Sequence, residues 1–241
     1  TAMRGAGLGI KAATITPETK GDVGSPNAIV RELIDGSVIL RVGRRLPGVR
    51  PVGGASAPIA VVRMATGDAY NAREAREGEA GSLDEVATRE DRITRRNCRA
   101  VAEFSFLYAA RHGATVYGGP KWTVSPVYEG MLKEEMDRAA AMNATVPYQP
   151  DLIDAVYAHL VNLHGEPLVI PALNRDGDCL SDLVMQMFGT IASAESMLFS
   201  LTADGRVAVA MAEAGAHVIV ADINQATAEQ TAAAVGAYQR R

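Results

Sequence analysis

Short apolar segments alternate with longer stretches of helical periodicity, and this alternation is the feature that most constrains the fold. Short apolar runs bounded by turn residues are typical of buried strands, whereas apolar residues spaced three and four apart indicate helices with one buried face. The pattern therefore predicts an α/β fold with helices layered on a sheet. The candidate strands are residues 12–15, 37–42, 58–64, 114–117, 167–172 and 217–221. The candidate helices are residues 93–111, 126–141 and 152–163, with Gly113 placed to end the first of them.

Composition narrows the class of protein and of partner. The 241 residues are 48% hydrophobic and 22% charged, which is ordinary for a globular chain that buries a core. The net charge of −4 and the scattered basic residues favour small-molecule partners over nucleic acid or an anionic membrane. Cys98 and Cys179 form no disulfide or metal motif, which favours a cytoplasmic location. No apolar run approaches the length of about 18 residues that a membrane span needs.

An acidic segment, Asn174–Asp182, lies between two apolar runs and predicts a metal site at a strand-to-helix turn. If the helix begins near Cys179, Asp178 is its N-cap and Asp182 lies one turn later on the same side. Two such carboxylates suit Mg²⁺ or Mn²⁺, which prefer oxygen ligands and leave coordination positions for a reactant. The alternative is that both acids only stabilise the helix start. A calcium loop is excluded because its turn glycine and terminal glutamate are missing.

Anion-binding groups form a second predicted feature. Ser25 and Pro26 precede the apolar run of residues 28–30, so serine at the N-cap and proline at N1 predict a helix start with exposed amides. Arg31, Arg41 and Arg63 lie in apolar surroundings, and three converging guanidinium groups would match a polycarboxylate. The alternative is that each arginine pairs with a structural acid or lies on an exposed face.

Tyr70 and Lys121 are candidate acid/base groups. Tyr70 ends the segment of residues 63–70, and Lys121 follows a strand that ends in Gly-Gly-Pro, where functional loops are common. A lysine acts near neutral pH only when it is desolvated or lies beside other cations. Either residue taken singly has a structural interpretation as well.

Taken together, the order of these segments resembles the isocitrate and isopropylmalate dehydrogenase family, whose members are metal-dependent decarboxylating dehydrogenases. The resemblance covers about residues 7–214. Its motifs are residues 13–17, Ser25-Pro26-Asn27, Arg63 with residues 67–70, Lys121, residues 152–154, and residues 176–178 with Ser181 and Asp182.

The resemblance implies a set of site residues. Substrate carboxylates would be bound by Thr16, Ser25, Asn27, Arg31, Arg41 and Arg63. Asp154, Asp178 and Asp182 would hold Mg²⁺ or Mn²⁺. Lys121 would take the hydroxyl proton during hydride transfer to NAD or NADP, and Tyr70 would protonate the carbon that loses CO₂. Lys121 and Asp154 would act in the active site of the other subunit of a homodimer, and no cofactor-binding residue is assigned.

The resemblance also implies a domain organisation. Residues 1–35 would be a remnant of a large domain, in an N-terminally truncated version of the layered family fold. Residues 36–189 would form a small domain, with the exposed excursion of residues 73–91 serving dimerisation, and residues 190–214 would return to the large domain. Residues 215–241 resemble instead a strand and helix of a short-chain dehydrogenase, although the glycine-rich phosphate loop of that fold is missing.

Three functions follow from these patterns. The first is oxidative decarboxylation of isocitrate, because three arginines and a polar helix start fit a tricarboxylate. The second is dehydrogenation of an isopropylmalate-type 2-hydroxyacid, which has one carboxylate fewer. The third is a non-catalytic metal- and carboxylate-binding dimerisation module. A short-chain dehydrogenase is disfavoured because its Tyr-x-x-x-Lys pattern is absent from the sequence.

Overall fold

The computed structural model describes residue 9 and residues 25–52, 55–162, 165–189 and 195–200. The chain divides into two compact units, one formed by Thr1–Ile34 with Ala208–Arg241 and the other by Asp35–Val207. Helix α1 (Pro26–Leu33) belongs to the first unit. Among the described residues, no helix is both long and apolar enough to cross a membrane.

The second unit contains the remaining described elements. Its strands are β1 (Gly36–Gly43), β2 (Ile59–Met64), β3 (Asp68–Glu77), β4 (Val86–Arg92), β5 (Thr115–Tyr117), β6 (Tyr148–Gln149), β7 (Leu168–Ala172) and β8 (Glu195–Ser200). Its helices are α2 (Arg95–His112), α3 (Tyr128–Met142), α4 (Ile153–Leu160) and α5 (Asn174–Met187).

A mixed sheet with the strand order β6-β5-β7-β2-β1-β8 forms the centre of this unit. Strands β6, β5, β7 and β2 are parallel to one another, whereas β1 is antiparallel to both β2 and β8. Every residue of β2 and β7 is buried, as expected for strands that are covered on both faces. The carboxyl ends of these two parallel strands lie beside the start of α5, which follows β7 directly.

Successive side chains of β2 point to opposite faces of the sheet, and both faces are covered by helices. Ile59 and Val61 pack in one cluster with residues of α4 and α5, including Val156, Leu180 and Val184. The intervening residues of β2 are also buried and face the opposite side, where α2 contacts the sheet and α3 packs on α2. The next residue in the Ile59–Val61 series is Arg63, so a guanidinium continues the apolar face that α5 covers.

The predicted α/β class is confirmed, and most predicted elements in the described ranges are present. Strands 37–42, 58–64, 114–117 and 167–172 correspond to β1, β2, β5 and β7, and the three predicted helices correspond to α2, α3 and α4. Gly113 ends α2 in the left-handed region at φ 59°, as predicted. The candidate strands of residues 12–15 and 217–221 lie outside the described residues.

Four strands of the described ranges were not predicted, namely β3, β4, the two-residue β6, and β8. Residues 73–91 are mainly exposed, as predicted, but they form most of an antiparallel hairpin of β3 and β4. The alternating Arg, Glu and Ala residues of this hairpin bury no apolar face, so the usual strand signal is absent. Strand β8 was not predicted, and it pairs with β1 at the edge of the central sheet.

A buried carboxylate joins α2 to α3. Glu135 of α3 is only 3% exposed, and its oxygens lie 3.1 Å from Arg95 Nη1, 2.9 Å from Arg99 Nε and 3.5 Å from Arg138 Nη1. The hydrogen bond from Arg99 chiefly lowers the pKa of Glu135, with further help from Arg95 and against the opposing effect of burial. The ionised carboxylate is therefore the form that stabilises this helix pair.

Replacing Glu135 with glutamine should destabilise the fold at neutral pH by about 1–3 kcal/mol, because the arginines lose their buried anion. Because the folded-state pKa of Glu135 lies below its ordinary value of 4.5, this stabilisation exists above about pH 4.5 and disappears as the pH falls through the folded value. Denaturant unfolding of wild type and E135Q at several pH values measures both effects.

The matched control is Glu134→Gln, since Glu134 pairs with Arg95 at 2.8 Å but its side chain is 61% exposed. This control should change stability by less than about 1 kcal/mol. Equal losses in the two variants, or a Glu135→Gln deficit that persists unchanged in acid, would contradict the assignment.

Candidate active site

The centre of the candidate site is Arg63, at the carboxyl end of β2. Arg63 is 1% exposed, and its Nε donates a hydrogen bond to Asn174 Oδ1 at 2.9 Å. Its Nη1 donates to a carboxylate oxygen of Asp178, one turn further along α5. Burial lowers the pKa of Arg63, and the charge of Asp178 opposes that change. Arg63 nevertheless stays charged, because a guanidinium does not lose its proton in proteins.

Gly177 allows α5 to approach this arginine. A Cβ atom built on Gly177 would lie 2.8 Å from both Cβ and Cγ of Arg63, and 3.3 Å from Cβ of Ala172. Contacts of 2.8 Å between carbon atoms are strongly repulsive. The glycine therefore brings the backbone of α5 directly over the ends of β2 and β7.

The predicted start of this helix was wrong. Helix α5 begins at Asn174 rather than near Cys179, so Asp178 lies inside the helix and is not its N-cap. Its N-cap residue, Leu173, makes no side-chain cap bond, but the carboxylate of Asp68 accepts a hydrogen bond from the backbone N–H of Arg175 at 2.7 Å. The cap therefore comes from a distant segment, and local sequence gives no sign of it.

Asp178 also accepts a hydrogen bond from the hydroxyl group of Tyr70. The guanidinium carbon of Arg63 lies 5.2 Å from the centre of the Tyr70 ring, within the range of a cation–π contact. Partial burial of the Tyr70 hydroxyl raises its pKa, and the hydrogen bond to Asp178 and the negative charge of that residue raise it further. Tyr70 thus remains protonated at neutral pH while it lies 38% exposed.

The second carboxylate of α5 is engaged by a second arginine. Asp182 Oδ1 accepts a hydrogen bond from Arg41 Nη1 at 2.8 Å, and the same nitrogen donates to Ser181 Oγ at 3.0 Å. Asp178 and Asp182 are one helical turn apart and project to the same side of α5, as predicted. The side chain of Asp182 is 64% exposed, so this pair is more exposed than the Arg63–Asp178 pair.

Lys121 and Asp154 form a separate pair. The Lys121 ammonium donates to Asp154, at the start of α4, and this hydrogen bond chiefly lowers the pKa of Asp154. The backbone N–H of Lys121 donates to Glu129, whose pKa is raised by burial. Throughout the described ranges, no group of three His, Cys, Asp or Glu residues is arranged to hold a metal ion. The single chain therefore does not bring Asp154 together with Asp178 and Asp182.

The remaining predicted residues belong to the first unit. Ser25 is the N-cap of α1 and Pro26 begins the helix, as predicted, while Ser25 makes no side-chain cap bond. Asn27 and Arg31 lie on the same helix. Their convergence with Arg41 and Arg63 stays a prediction, and Thr16 lies outside the described residues.

Sequence reasoning missed the residues that support this site. Asn174 and Asp68 are polar side chains that are 0% and 7% exposed, and they connect α5 to the segment that carries Tyr70. Their signal was present in the sequence, because both polar residues directly adjoin motifs that contain catalytic candidates. Nothing in the local pattern shows that Asn174 bonds the turn at Gly67 or that Asp68 bonds the start of α5.

The sheet, its helices and the cluster of arginine and aspartate at the carboxyl end of β2 define an α/β protein with a charged site beside its central strands. A sequence model of the isocitrate/isopropylmalate dehydrogenase family matches residues 2–234. The chain belongs to this family. The family predicted from the motifs is confirmed, and the match extends beyond residue 214, where the resemblance was expected to end. The predicted dehydrogenase-like tail lies outside the described residues.

Curated relatives and solved structures agree on this family. The chain is 30% identical to isocitrate dehydrogenase (NADP) of Sphingobium yanoikuyae, with 89% of the chain and 61% of that relative covered. It is 29% identical to isocitrate dehydrogenase (NADP) 1 of Mycobacterium tuberculosis, with the same coverages. The chain thus spans about three fifths of the length of these relatives.

Two solved isocitrate dehydrogenases share the fold. The enzyme of Ostreococcus tauri, solved in complex with isocitrate and magnesium(II), gives a TM-score of 0.60 at 25% identity, with 80% of this chain and 58% of that chain covered. The enzyme of Methylococcus capsulatus gives a TM-score of 0.64 at 18% identity, with 79% and 55% covered. The predicted isocitrate/isopropylmalate dehydrogenase-like fold is confirmed.

Replacing Gly177 with alanine should destabilise the chain by roughly 1–3 kcal/mol, because the added methyl group overlaps Arg63. The control is Gly130→Ala in α3, where an added Cβ meets no atom within 4 Å. That substitution should stabilise by about 0.4–1 kcal/mol, since alanine restricts the unfolded chain. Denaturant unfolding measures both changes, and the same sign for the two variants would contradict the close approach at Gly177.

Asparagine in place of Asp178 should lower the pKa of the Tyr70 hydroxyl, because the negative charge that helps to raise it is removed. The pKa is measured by ultraviolet difference titration of each protein against its Tyr70→Phe counterpart. Asp182→Asn is the control, since Asp182 bonds Arg41 and not Tyr70. An unchanged Tyr70 titration in D178N would show that the hydroxyl does not contact this carboxylate.

Proposed function

We propose that the protein catalyses metal-dependent oxidative decarboxylation of isocitrate to 2-oxoglutarate with NADP as the hydride acceptor. The observation that carries the proposal is the buried Arg63, fixed by Asn174 and in contact with both Asp178 and Tyr70. It places a carboxylate-binding cation, a candidate metal ligand and a candidate proton donor at one point. The curated relatives named as NADP-dependent isocitrate dehydrogenases support the choice of substrate and cofactor.

Arg41 and Arg63 supply the anion-binding part of the proposed site. They lie on neighbouring antiparallel strands, and the charge of Arg41 contributes to lowering the pKa of Arg63, as expected for cations near each other. Guanidinium groups bind carboxylates through two parallel hydrogen bonds, so a polycarboxylate suits this pair. The family resemblance alone assigns carboxylate binding to Ser25, Asn27, Arg31 and Thr16 as well, and this assignment stays a prediction.

The donor set on α5 fits a hard divalent cation. Asp178 and Asp182 present carboxylate oxygens one turn apart, and these are the ligands that Mg²⁺ and Mn²⁺ prefer. We assign the third carboxylate to Asp154 of a second copy, as the family resemblance implies; within its own chain Asp154 pairs with Lys121. When bound, the cation would polarise the substrate oxygen next to the bond that is oxidised.

Lys121 and Tyr70 are proposed to move the protons of the reaction. The C2 hydrogen would leave as hydride to NADP⁺, and the hydroxyl proton would pass to the Lys121 side chain of the second copy after its ammonium has released a proton to water. The carboxylate would then leave as CO₂, with its bonding electron pair staying on the carbon that Tyr70 protonates. Tyr70 donates a proton to the carbon that lost CO₂, which requires a phenol that is protonated at neutral pH. The raised pKa of Tyr70 agrees with this role.

This assignment requires a homodimer with a shared active site. Lys121 and Asp154 are paired with each other and do not join the Arg63 cluster among the described residues. The residues that bind the nucleotide are not assigned, and a cytoplasmic location stays a prediction. A family that includes isopropylmalate dehydrogenase makes an alkyl-substituted malate the second candidate substrate.

The first test is calorimetric titration of isocitrate in the presence and absence of Mn²⁺, followed by turnover with NADP⁺ and NAD⁺ on the same preparation. Wild type should bind isocitrate only weakly without Mn²⁺, and Asp178→Asn or Asp182→Asn should weaken Mn²⁺-dependent binding at least about tenfold. The control is Asp137→Asn, an exposed aspartate on α3 that pairs with Lys133. It should leave binding unchanged.

The other outcomes separate the alternatives. Metal-dependent isocitrate binding without turnover would support a non-catalytic binding module. Tighter binding of isopropylmalate than of isocitrate would reassign the substrate. Isocitrate binding that is independent of the metal, or that Asp137→Asn weakens as much as Asp178→Asn, would reject the proposed metal site.

A further inference from the structure

The side chain of Asn174 is buried at the first position of α5 and uses both ends of its amide group. Its Oδ1 accepts the hydrogen bond from Arg63 Nε at 2.9 Å, and its Nδ2 donates to the carbonyl oxygens of Gly67 at 2.9 Å and Ala65 at 3.5 Å. Asn174 is 0% exposed. One amide therefore connects β2, the turn after β2 and α5.

The acceptor end of this amide fixes the orientation of a guanidinium. Arg63 has several rotatable bonds, and its planar group binds a carboxylate well only in a defined plane. The bond from Nε to Asn174 fixes that plane and leaves Nη1 directed at Asp178. The cation is therefore oriented before any ligand arrives, which reduces the entropy lost on binding.

The donor end of the amide holds the turn that leads to Tyr70. Gly67 and Asp68 both have positive φ angles, of 83° and 62°, and a non-glycine residue in that region carries strain. The amide of Asn174 fixes the carbonyl of Gly67, and Asp68 in return accepts the N–H of Arg175. Two residues later Tyr70 emerges beside Asp178. These bonds set the position of its hydroxyl group.

We propose that Asn174 is the positioning residue of the site, which orients Arg63 for the substrate through its oxygen and places Tyr70 for proton transfer through its nitrogen. The proposal rests on the proposed function. Asn174 is buried beneath Arg63 and acts through Arg63 and Tyr70 rather than by contact with the reacting atoms. A purely structural amide would change stability alone, whereas a positioning amide changes substrate affinity and turnover separately, according to which end is removed.

Two substitutions separate the two ends of the amide. Asn174→Asp keeps an oxygen acceptor for Arg63 Nε but replaces the donor to Gly67 with a second acceptor. Asn174→Leu has a similar volume and removes both functions. Ser105→Ala is the control, because Ser105 is fully buried on α2 and its hydroxyl donates a hydrogen bond to the backbone of its own helix, at Val101 O, 2.7 Å away.

Steady-state kinetics and isocitrate calorimetry at saturating Mn²⁺ give the first readout. Asn174→Leu should raise the KM and Kd for isocitrate at least about tenfold, whereas Asn174→Asp should keep both within about threefold and lower kcat at least about tenfold. Ser105→Ala should change neither KM nor kcat. Equal isocitrate affinity in the Asp and Leu variants, or kinetic losses that Ser105→Ala reproduces, would overturn the proposal.

Nitrogen-15 NMR of the arginine Nε–H groups gives a readout that needs no substrate. Wild type should show an Nε–H signal that is protected from solvent exchange and that disappears in Arg63→Lys. Asn174→Asp should keep this signal and Asn174→Leu should lose it. An Arg63 signal that exchanges as fast as those of surface arginines would overturn the proposal, even if Asn174→Leu fails to fold.

The two readouts also distinguish failure of this proposal from failure of the proposed function. A wild-type chain with the protected Arg63 signal but without isocitrate binding would reject the function, and with it the catalytic purpose of the contact. Isocitrate turnover together with normal kinetics in Asn174→Asp and Asn174→Leu would reject Asn174 as a positioning residue and leave the function intact.

Discussion

The burial of the Arg63 guanidinium is the constraint on which the rest of the site depends. A guanidinium cannot lose its proton at physiological pH, so its removal from water must be compensated by hydrogen bonds and by an anion. Both compensating groups, Asn174 and Asp178, come from α5. The helix must therefore lie directly over the end of β2, and this position requires a residue without a side chain at Gly177.

Reciprocal bonds between α5 and the turn after β2 reinforce that position. Asn174 donates to the turn, and Asp68 of the turn caps the helix. Asp68 also accepts a hydrogen bond from the hydroxyl of Tyr128 at 2.9 Å, so the start of α3 is fixed to the same point. The strained backbone of Asp68 is held by contacts from two helices, which explains how a non-glycine residue keeps a positive φ angle there.

Sequence reasoning identified the local features and missed the long-range ones. The fold class, the central strands and the helices α2 to α4 follow from apolar periodicity, which is a local property. The start of α5 was misplaced because its cap is the carboxylate of Asp68, more than one hundred residues away in sequence. The hairpin of β3 and β4 was missed because it buries no apolar face.

In the candidate site, too, the sequence revealed the residues of local motifs but not the long-range contacts between them. The family motifs identified Arg63, Tyr70, Asp178 and Asp182, and the structure brings the first three into contact and places Asp182 on the same side of α5 as Asp178. No pattern revealed that Asn174 supports Arg63 or that Gly177 makes room for it, because both facts depend on the packing of a helix over a strand.

Each carboxylate proposed to bind metal is paired with a basic group proposed to act on the substrate: Asp178 with Arg63, Asp182 with Arg41 and Asp154 with Lys121. If a metal cation bound the carboxylates without substrate, the guanidinium and ammonium groups would lose their anionic partners. If the polyanionic substrate bound these cationic groups without metal, the carboxylates would be left unpaired. When the metal cation and the substrate bind together, the carboxylates pair with the metal and the cationic side chains pair with the substrate. At the proposed site their binding would then be positively cooperative, and by thermodynamic linkage each ligand would raise the affinity for the other by the same factor.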